Sequence, residues 1–207
     1  LDSDDEWLPE KLEKQFDTYF RHKKELRFIH TNEVWLKNNI RISQLKKHKK
    51  KGGDVFNECL LFCCISPSSV LIRRDLFLEI GYFDEVMPAC EDYDLWLRMC
   101  LQNEILFLDE ELIIKHGGHS DQLSKKYWGM DRFRIYALEK LVNNPSLSLK
   151  RRGEVFEAII KKSEILIKGG LKRENLELVN FYSRKKRHFL DRSVEEMSFD
   201  EEPKIYE

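Results

Sequence analysis

An α/β domain followed by a purely helical segment is the fold class this sequence predicts, and three observations predict it. Short runs of aromatic and β-branched residues alternate with helical stretches up to about residue 125. From Lys126 onward the apolar residues recur only at helical spacing. The 207 residues are 42% hydrophobic, with 13 Phe and 4 Trp, enough to bury a real core. The 36 Lys and Arg nearly balance the 37 Asp and Glu, for a formal charge of -1, so no global field draws the chain to nucleic acid or an anionic membrane. Its longest apolar run, Cys59 to Ile65, falls far short of the roughly 20 residues that span a bilayer. Five irregularly spaced cysteines make a poor disulfide framework and favour a reducing, cytoplasmic setting.

The chain opens on Leu1 and passes directly into Asp2-Ser3-Asp4-Asp5-Glu6. Acids straight after an apolar residue are what the C-terminal end of a core strand looks like, so a strand is expected upstream. Pro9 and Glu10 suit a first helical turn, and Leu8, Leu12, Phe16 and Phe20 repeat at i, i+4, which predicts a helix over about 8–22. Leu26 to Trp35 reads as a strand, and the basic stretch Gln44 to Gly53 as a surface loop. Ser69 to Arg73 predicts a short strand and Asp75 to Ile80 a short helix closed by Gly81. A helix from Asp92 to about Asn103 follows from the stripe Leu95, Trp96, Met99 and Cys100. Ile105 to Leu108 and Leu112 to Lys115 read as two strands around an acidic turn, Asp109-Glu110-Glu111, ahead of the loop His116-Gly117-Gly118-His119.

Beyond Lys126, Phe133, Ala137 and Leu141 mark one helix, Val155 to Ile167 a second, and Glu174 to His188 a third, with a break at Asn143-Asn144-Pro145. Residues 191–207 carry seven acids against two bases and are expected to be a disordered tail. The domain reading is therefore 1–125, then a helical extension 126–190, then the tail.

Three constellations carry chemistry. Asp2-Ser3-Asp4-Asp5 can offer carboxylates to a hard divalent cation, Mg²⁺ or Mn²⁺, that keeps water and phosphate oxygens as its other ligands. Taken alone, such acids more often favour a helix N-terminus. Glu91-Asp92 stand at a helix start, where a carboxylate can be aimed into a cleft as a general base or can simply cap a Trp and Leu stripe. His116-Gly117-Gly118-His119 combines flexible glycines with imidazoles able to complete a metal site, although loop histidines are more often just hydrogen-bonded. Lys46, Lys47, Lys49, Lys50 and Lys51 could meet phosphates of a lipid-linked acceptor or anionic headgroups at the inner face of a membrane, against the commoner reading of solubilising surface. Cys59, Cys63 and Cys64 lack zinc-knuckle spacing and read as core.

In this order the three constellations resemble glycosyltransferase family 2, an inverting family with the GT-A fold. Leu1-Asp2-Ser3-Asp4-Asp5-Glu6-Trp7-Leu8-Pro9-Glu10-Lys11-Leu12 is similar to its metal and nucleotide-diphosphate motif. Gly81-Tyr82-Phe83-Asp84-Glu85 with Glu91-Asp92-Tyr93-Asp94-Leu95-Trp96-Leu97-Arg98 is similar to its acceptor and base region, and His119 with Gln122 and Ser124 to its closing histidine segment. The resemblance covers about residues 1–125 and implies a truncated GT-A, Rossmann-like mixed sheet whose first, nucleoside-binding strands lie upstream, leaving a fragment of impaired activity.

It implies a hexosyl-type transfer with inversion, from a nucleotide sugar to a saccharide, lipid-linked or protein acceptor, in the setting of bacterial cell-surface polysaccharide. Asp2, Asp4 and Asp5 would face the donor diphosphate and its cation, with His119 as a further metal ligand and His116 as its alternative. Asp92 would be the base, Glu91 its neighbouring alternative, and Asp84, Glu85 and Trp96 the acceptor region, with Trp96 packed beneath the site. The competing classes are a metal-dependent nucleotidyltransferase, which also uses strand-end acids, and a non-catalytic helical interaction module or inactive remnant.

Overall fold

The computed structural model describes residues 1–22, 26–45, 48–117 and 126–200, with side chains through 196. They form two compact units, Leu1–Trp128 and a second from Gly129 onward. In the first, β1 (Glu6–Trp7) leads to α1 (Lys11–Arg21), β2 (Phe28–Lys37) and β3 (Ile40–Ile42). Then come α2 (Phe56–Leu61), a 3₁₀ turn at Pro67–Ser69, β4 (Leu71–Ile72), α3 (Arg74–Ile80), α4 (Glu91–Cys100) and β5 (Leu106–Gly117). The sheet runs β1-β5-β2-β3, with β4 also paired to β2. Among the described strands only β2 and β5 are parallel and the other pairs are antiparallel, so the sheet is mixed, consistent with the GT-A-like domain the sequence leads one to expect.

One long strand stands where the sequence predicts two. Thr31 faces Leu108 but Asn32 faces Glu111, and Glu33 then faces Ile113, so β5 carries extra residues that bulge out of the ladder. The acids expected to make a turn are instead tied to their surroundings: Asn32 Nδ2 donates to Asp109 at 3.0 Å, Lys14 pairs with Glu110, and Arg41 meets Glu111 at 2.6 Å. Held this way, Asp109-Glu110-Glu111 stay within the strand and the ladder resumes through Lys37 and Gly117.

Helix α1 reverses the usual amphipathic logic. Its apolar stripe, Leu12, Phe16 and Phe20, is exposed at 40%, 46% and 69%, while Lys11, Gln15 and Thr18 face inward. Those polar groups are not stranded. Gln15 Nε2 donates to the Ser69 carbonyl at 3.0 Å and lies 3.4 Å from that of Ile29, its Oε1 accepts from Lys11 Nζ at 2.7 Å, and the Lys11 ammonium sits 4.1 Å from the centre of the Trp7 ring. Burial lowers the Lys11 pKa to about 8. The acceptors this face meets are the carbonyl of Ser69, at the end of the 3₁₀ turn, and that of Ile29 on β2.

At the heart of the unit is α4, whose Tyr93, Leu95, Trp96, Leu97, Met99 and Cys100 are all buried. The second unit consists of α5 (Asp131–Val142), α6 (Leu149–Lys172) and α7 (Leu176–Asp200). Helix α7 continues past Asp191, where the sequence predicts a disordered tail, and an i, i+4 contact of Arg192 with Glu196 at 2.9 Å supports that turn. Among the described residues no helix is long and apolar enough to cross a membrane.

Because the α1 interface is polar, Gln15→Ala should destabilise the chain by about 1–3 kcal/mol, since it removes the donor to the Ser69 carbonyl and the acceptor of buried Lys11. Phe16→Ala should cost less than about 1 kcal/mol, since its ring is half exposed. Urea denaturation of the two variants checks this order, which is the reverse of what side-chain hydrophobicity alone gives.

Candidate active site

A cavity of about 290 Å³ lies among β2, β5, the chain after α2 and the start of α4; Asp92, Cys63, Lys115, Glu33, Lys50 and Trp35 are in its wall. Asp92 is held by two donors. The Cys63 thiol donates to Oδ2 at 3.0 Å, and the Tyr93 amide donates to Oδ1 at 2.7 Å. Burial and the adjacent Asp92 charge push the Cys63 thiol far up, so it stays a protonated donor. Glu91, one residue earlier, is not part of the cavity wall. Its pKa is raised by burial and by the charges of Asp92 and Asp2, which also places the opening acids within electrostatic reach of this helix start.

The acids at the chain start form a turn, in which the Asp5 amide donates to the Asp2 carbonyl at 3.2 Å. Ser68 pins it from both ends: its hydroxyl accepts from the Asp2 amide at 3.0 Å and donates to Asp5 Oδ2 at 2.6 Å. Asp5 is buried and 3.5 Å from Lys115 Nζ. Its pKa is raised by burial, against the pull of Ser68 and Lys115, and the charges of Asp2 and Asp4 raise it further. Asp2 is half-buried and Asp4 exposed. Burial would lower the Lys115 ammonium, but Asp5, Glu33 and Asp2 together outweigh it and hold its pKa above the ordinary lysine value.

Behind the cavity is a buried ion pair. Lys50 Nζ is 3.2 Å from Glu33 Oε2, and the Trp35 indole donates to Glu33 Oε1 at 2.8 Å. Burial alone would raise the Glu33 carboxyl; Lys50, hydrogen bonds from Ser66 and Trp35, and the charge of Lys115 more than reverse that. Trp35 stacks obliquely with His48, and His48 meets the Phe62 edge, giving the cavity an aromatic side.

Several expectations change here. Lys50 is not a surface lysine able to meet headgroups, because Glu33 draws it inside; Lys51 is exposed and paired with Glu58 at 2.8 Å, and Lys49 is exposed. Lys46, Lys47 and His119 lie outside the described residues. His116 is 2.8 Å from Glu6 across the β1·β5 pair. Cys59 is core as expected, whereas Cys63 and Cys64 are only half-buried and border the cavity. Asp84 caps its own turn by accepting from the Val86 amide at 3.0 Å, Glu85 is exposed, and Trp96 is 1% exposed on the inward face of α4.

The sequence reading gives Cys63, Lys50 and Lys115 other places, in the core, on a basic surface and at a strand end, and singles out neither Ser68 nor Glu33. Lys115 left one trace, a lone base inside an apolar strand; nothing in the spacing marks the others.

For a divalent cation the donor chemistry fits in part. Among the described residues no three His, Cys, Asp or Glu side chains converge on one point. Asp2 and Asp4, in a turn whose negative charges already oppose one another at Asp5, suit a hard cation that takes its remaining ligands from water and phosphate.

A family model described as glycosyltransferase like family 2 matches residues 1–150. An uncharacterized glycosyltransferase of Rickettsia felis is 38% identical over 101 residues, covering 49% of this chain and 14% of that protein. One from Rickettsia conorii is 31% identical over 143 residues, covering 61% of this chain and 21% of the relative. One from Methanocaldococcus jannaschii is 30% identical over 122 residues, covering 56% and 40%. The chain thus spans well under half the length of these relatives.

The buried pair yields a stability test. Glu33→Ala removes the counter-charge of buried Lys50, which keeps the Ser66 hydroxyl at 3.3 Å, and should cost about 3–5 kcal/mol, whereas the double variant Glu33→Met, Lys50→Met should recover most of that loss. Urea denaturation of the single and double variants reads both.

Proposed function

The chain belongs to the glycosyltransferase-like family 2, and on that premise we propose that the protein moves a sugar from a nucleotide-sugar donor to an acceptor hydroxyl with inversion. The observation that carries this reading is Asp92, fixed by the Cys63 thiol and the Tyr93 amide at the edge of a cavity of about 290 Å³. In the proposed step Asp92 accepts the acceptor's hydroxyl proton as that oxygen attacks the anomeric carbon on the face opposite the departing diphosphate. One displacement inverts the centre. The two donors supply orientation, so the carboxylate meets the hydroxyl in one geometry. Asp92 is preferred over Glu91 because Asp92 borders the cavity and Glu91 does not.

Asp2 and Asp4 would hold Mg²⁺ or Mn²⁺, with His119 as a further ligand; His116 is the poorer candidate, being engaged with Glu6. When bound, the cation supplies charge neutralisation for the leaving diphosphate. Lys115 keeps the acidic turn in place through Asp5.

In the intact protein Asp92→Asn should lower turnover by about two to four orders of magnitude with donor binding little changed. Glu91→Gln should be the milder variant, and a larger loss in Glu91→Gln would move the base by one residue. Steady-state transfer assays with a panel of nucleotide sugars measure both. Asp4→Ala should abolish cation-dependent transfer while leaving the circular dichroism spectrum unchanged, since it removes a surface ligand and no core volume. Full turnover of that variant, or of the parent in excess EDTA, would overturn the metal assignment.

A further inference from the structure

A second hollow, of about 400 Å³, adjoins the Asp92 cavity, and the two share Glu33, Trp35 and Lys50 as a common wall. Nothing in the proposed step uses it. Each alone is at the small end of the range for ligand pockets, about 300–1,000 Å³, whereas a ligand lying across the shared wall would occupy both.

Its chemistry points to one kind of occupant. Among the described lining residues, three cations, Arg41, Lys49 and Lys50, face three carboxylates, Glu33, Asp109 and Glu111, so the hollow has no excess charge to select a phosphate or a carboxylate. The planar polar groups are already ordered by one another. Arg41 is bonded to Glu111 at 2.6 Å and Asn32 to Asp109 at 3.0 Å, which leaves further donor and acceptor positions on each. Trp35 and Phe107 add aromatic surface. A wall of aromatic carbon with fixed in-plane donors and acceptors suits a neutral polyol ring, which presents C–H groups on its faces and hydroxyls around its edge.

We infer that the acceptor is a neutral oligosaccharide of at least two units, its terminal unit beside Asp92 and the preceding unit beyond Trp35 in the second hollow, an assignment of substrate class that rests on the proposed transfer. The Glu33–Lys50 pair then has a role other than stability: it holds the partition between the two subsites in one position.

The test begins with a glycan array of one- to six-unit saccharides probed with the full chain, without donor. Calorimetric titration then compares the best-bound glycan with the same glycan shortened by one unit. The longer should bind about tenfold more tightly. Arg41→Ala, an exposed side chain on β3 that borders only the second hollow, should reduce that ratio to about twofold or less, and Glu111→Ala should do the same. Equal affinity for both lengths, an unchanged ratio in both variants, or no saccharide bound on the array would overturn the inference. A length dependence that Arg41→Ala abolishes, in a protein that transfers no sugar from any nucleotide sugar, would uphold the saccharide site and count against the transfer reading instead.

Discussion

A single ammonium group, that of Lys115, stands between the acidic turn at the chain start and the carboxylate of the buried pair. It lies 3.5 Å from Asp5, feels the charges of Glu33 and Asp2, and borders the cavity into which Asp92 faces. Through Asp5 and Ser68 it fixes the acidic turn at the chain start. Its charge also helps hold down the carboxyl of Glu33, the β2 member of the buried pair. A lysine half taken from water would be costly by itself; its carboxylates more than offset that, and they are the groups the site needs in place.

Polar groups, more than apolar contacts, decide how the elements around the site meet. Helix α1 presents Lys11, Gln15 and Thr18 inward, where Gln15 bonds the Ser69 carbonyl and Lys11, while Phe16 and Phe20 stay exposed. The bulges on β5 follow the same rule. Asn32, Lys14 and Arg41 each hold one of three consecutive acids, and the resulting register shift occurs where β2 passes from Thr31 to Glu33, just before the residues shared by both cavities.

The same physics shapes Asp92. Its backbone is set by the first turn of α4, anchored by a helix whose buried face runs almost all the way round, so the carboxylate has little freedom to move. The thiol of Cys63 takes one oxygen and the chain's own amide the other. A hydroxyl or amide side chain could donate as well; the thiol does so beside Ile65 and Phe62, and burial and the Asp92 charge suppress its own ionisation.

By itself the sequence determined the alternation of strands and helices, the all-helical end and the burial of Trp96, because these are written in local periodicity and in residue order. Apolar spacing reports which residues lie on one face of a helix, but not which face turns inward; for α1 the stripe Leu12, Phe16, Phe20 was legible and its exposure was not. Tertiary structure alone decided that Lys50 leaves a basic loop to join Glu33, that Cys63 reaches Asp92, that Ser68 closes the acidic turn, and that two short strands are one. Cys63 and Asp92 are 29 positions apart, Ser68 and Asp5 63, and what brings such groups together is the cost of leaving a buried charge or hydrogen-bonding group without a partner, a quantity no local window of sequence contains.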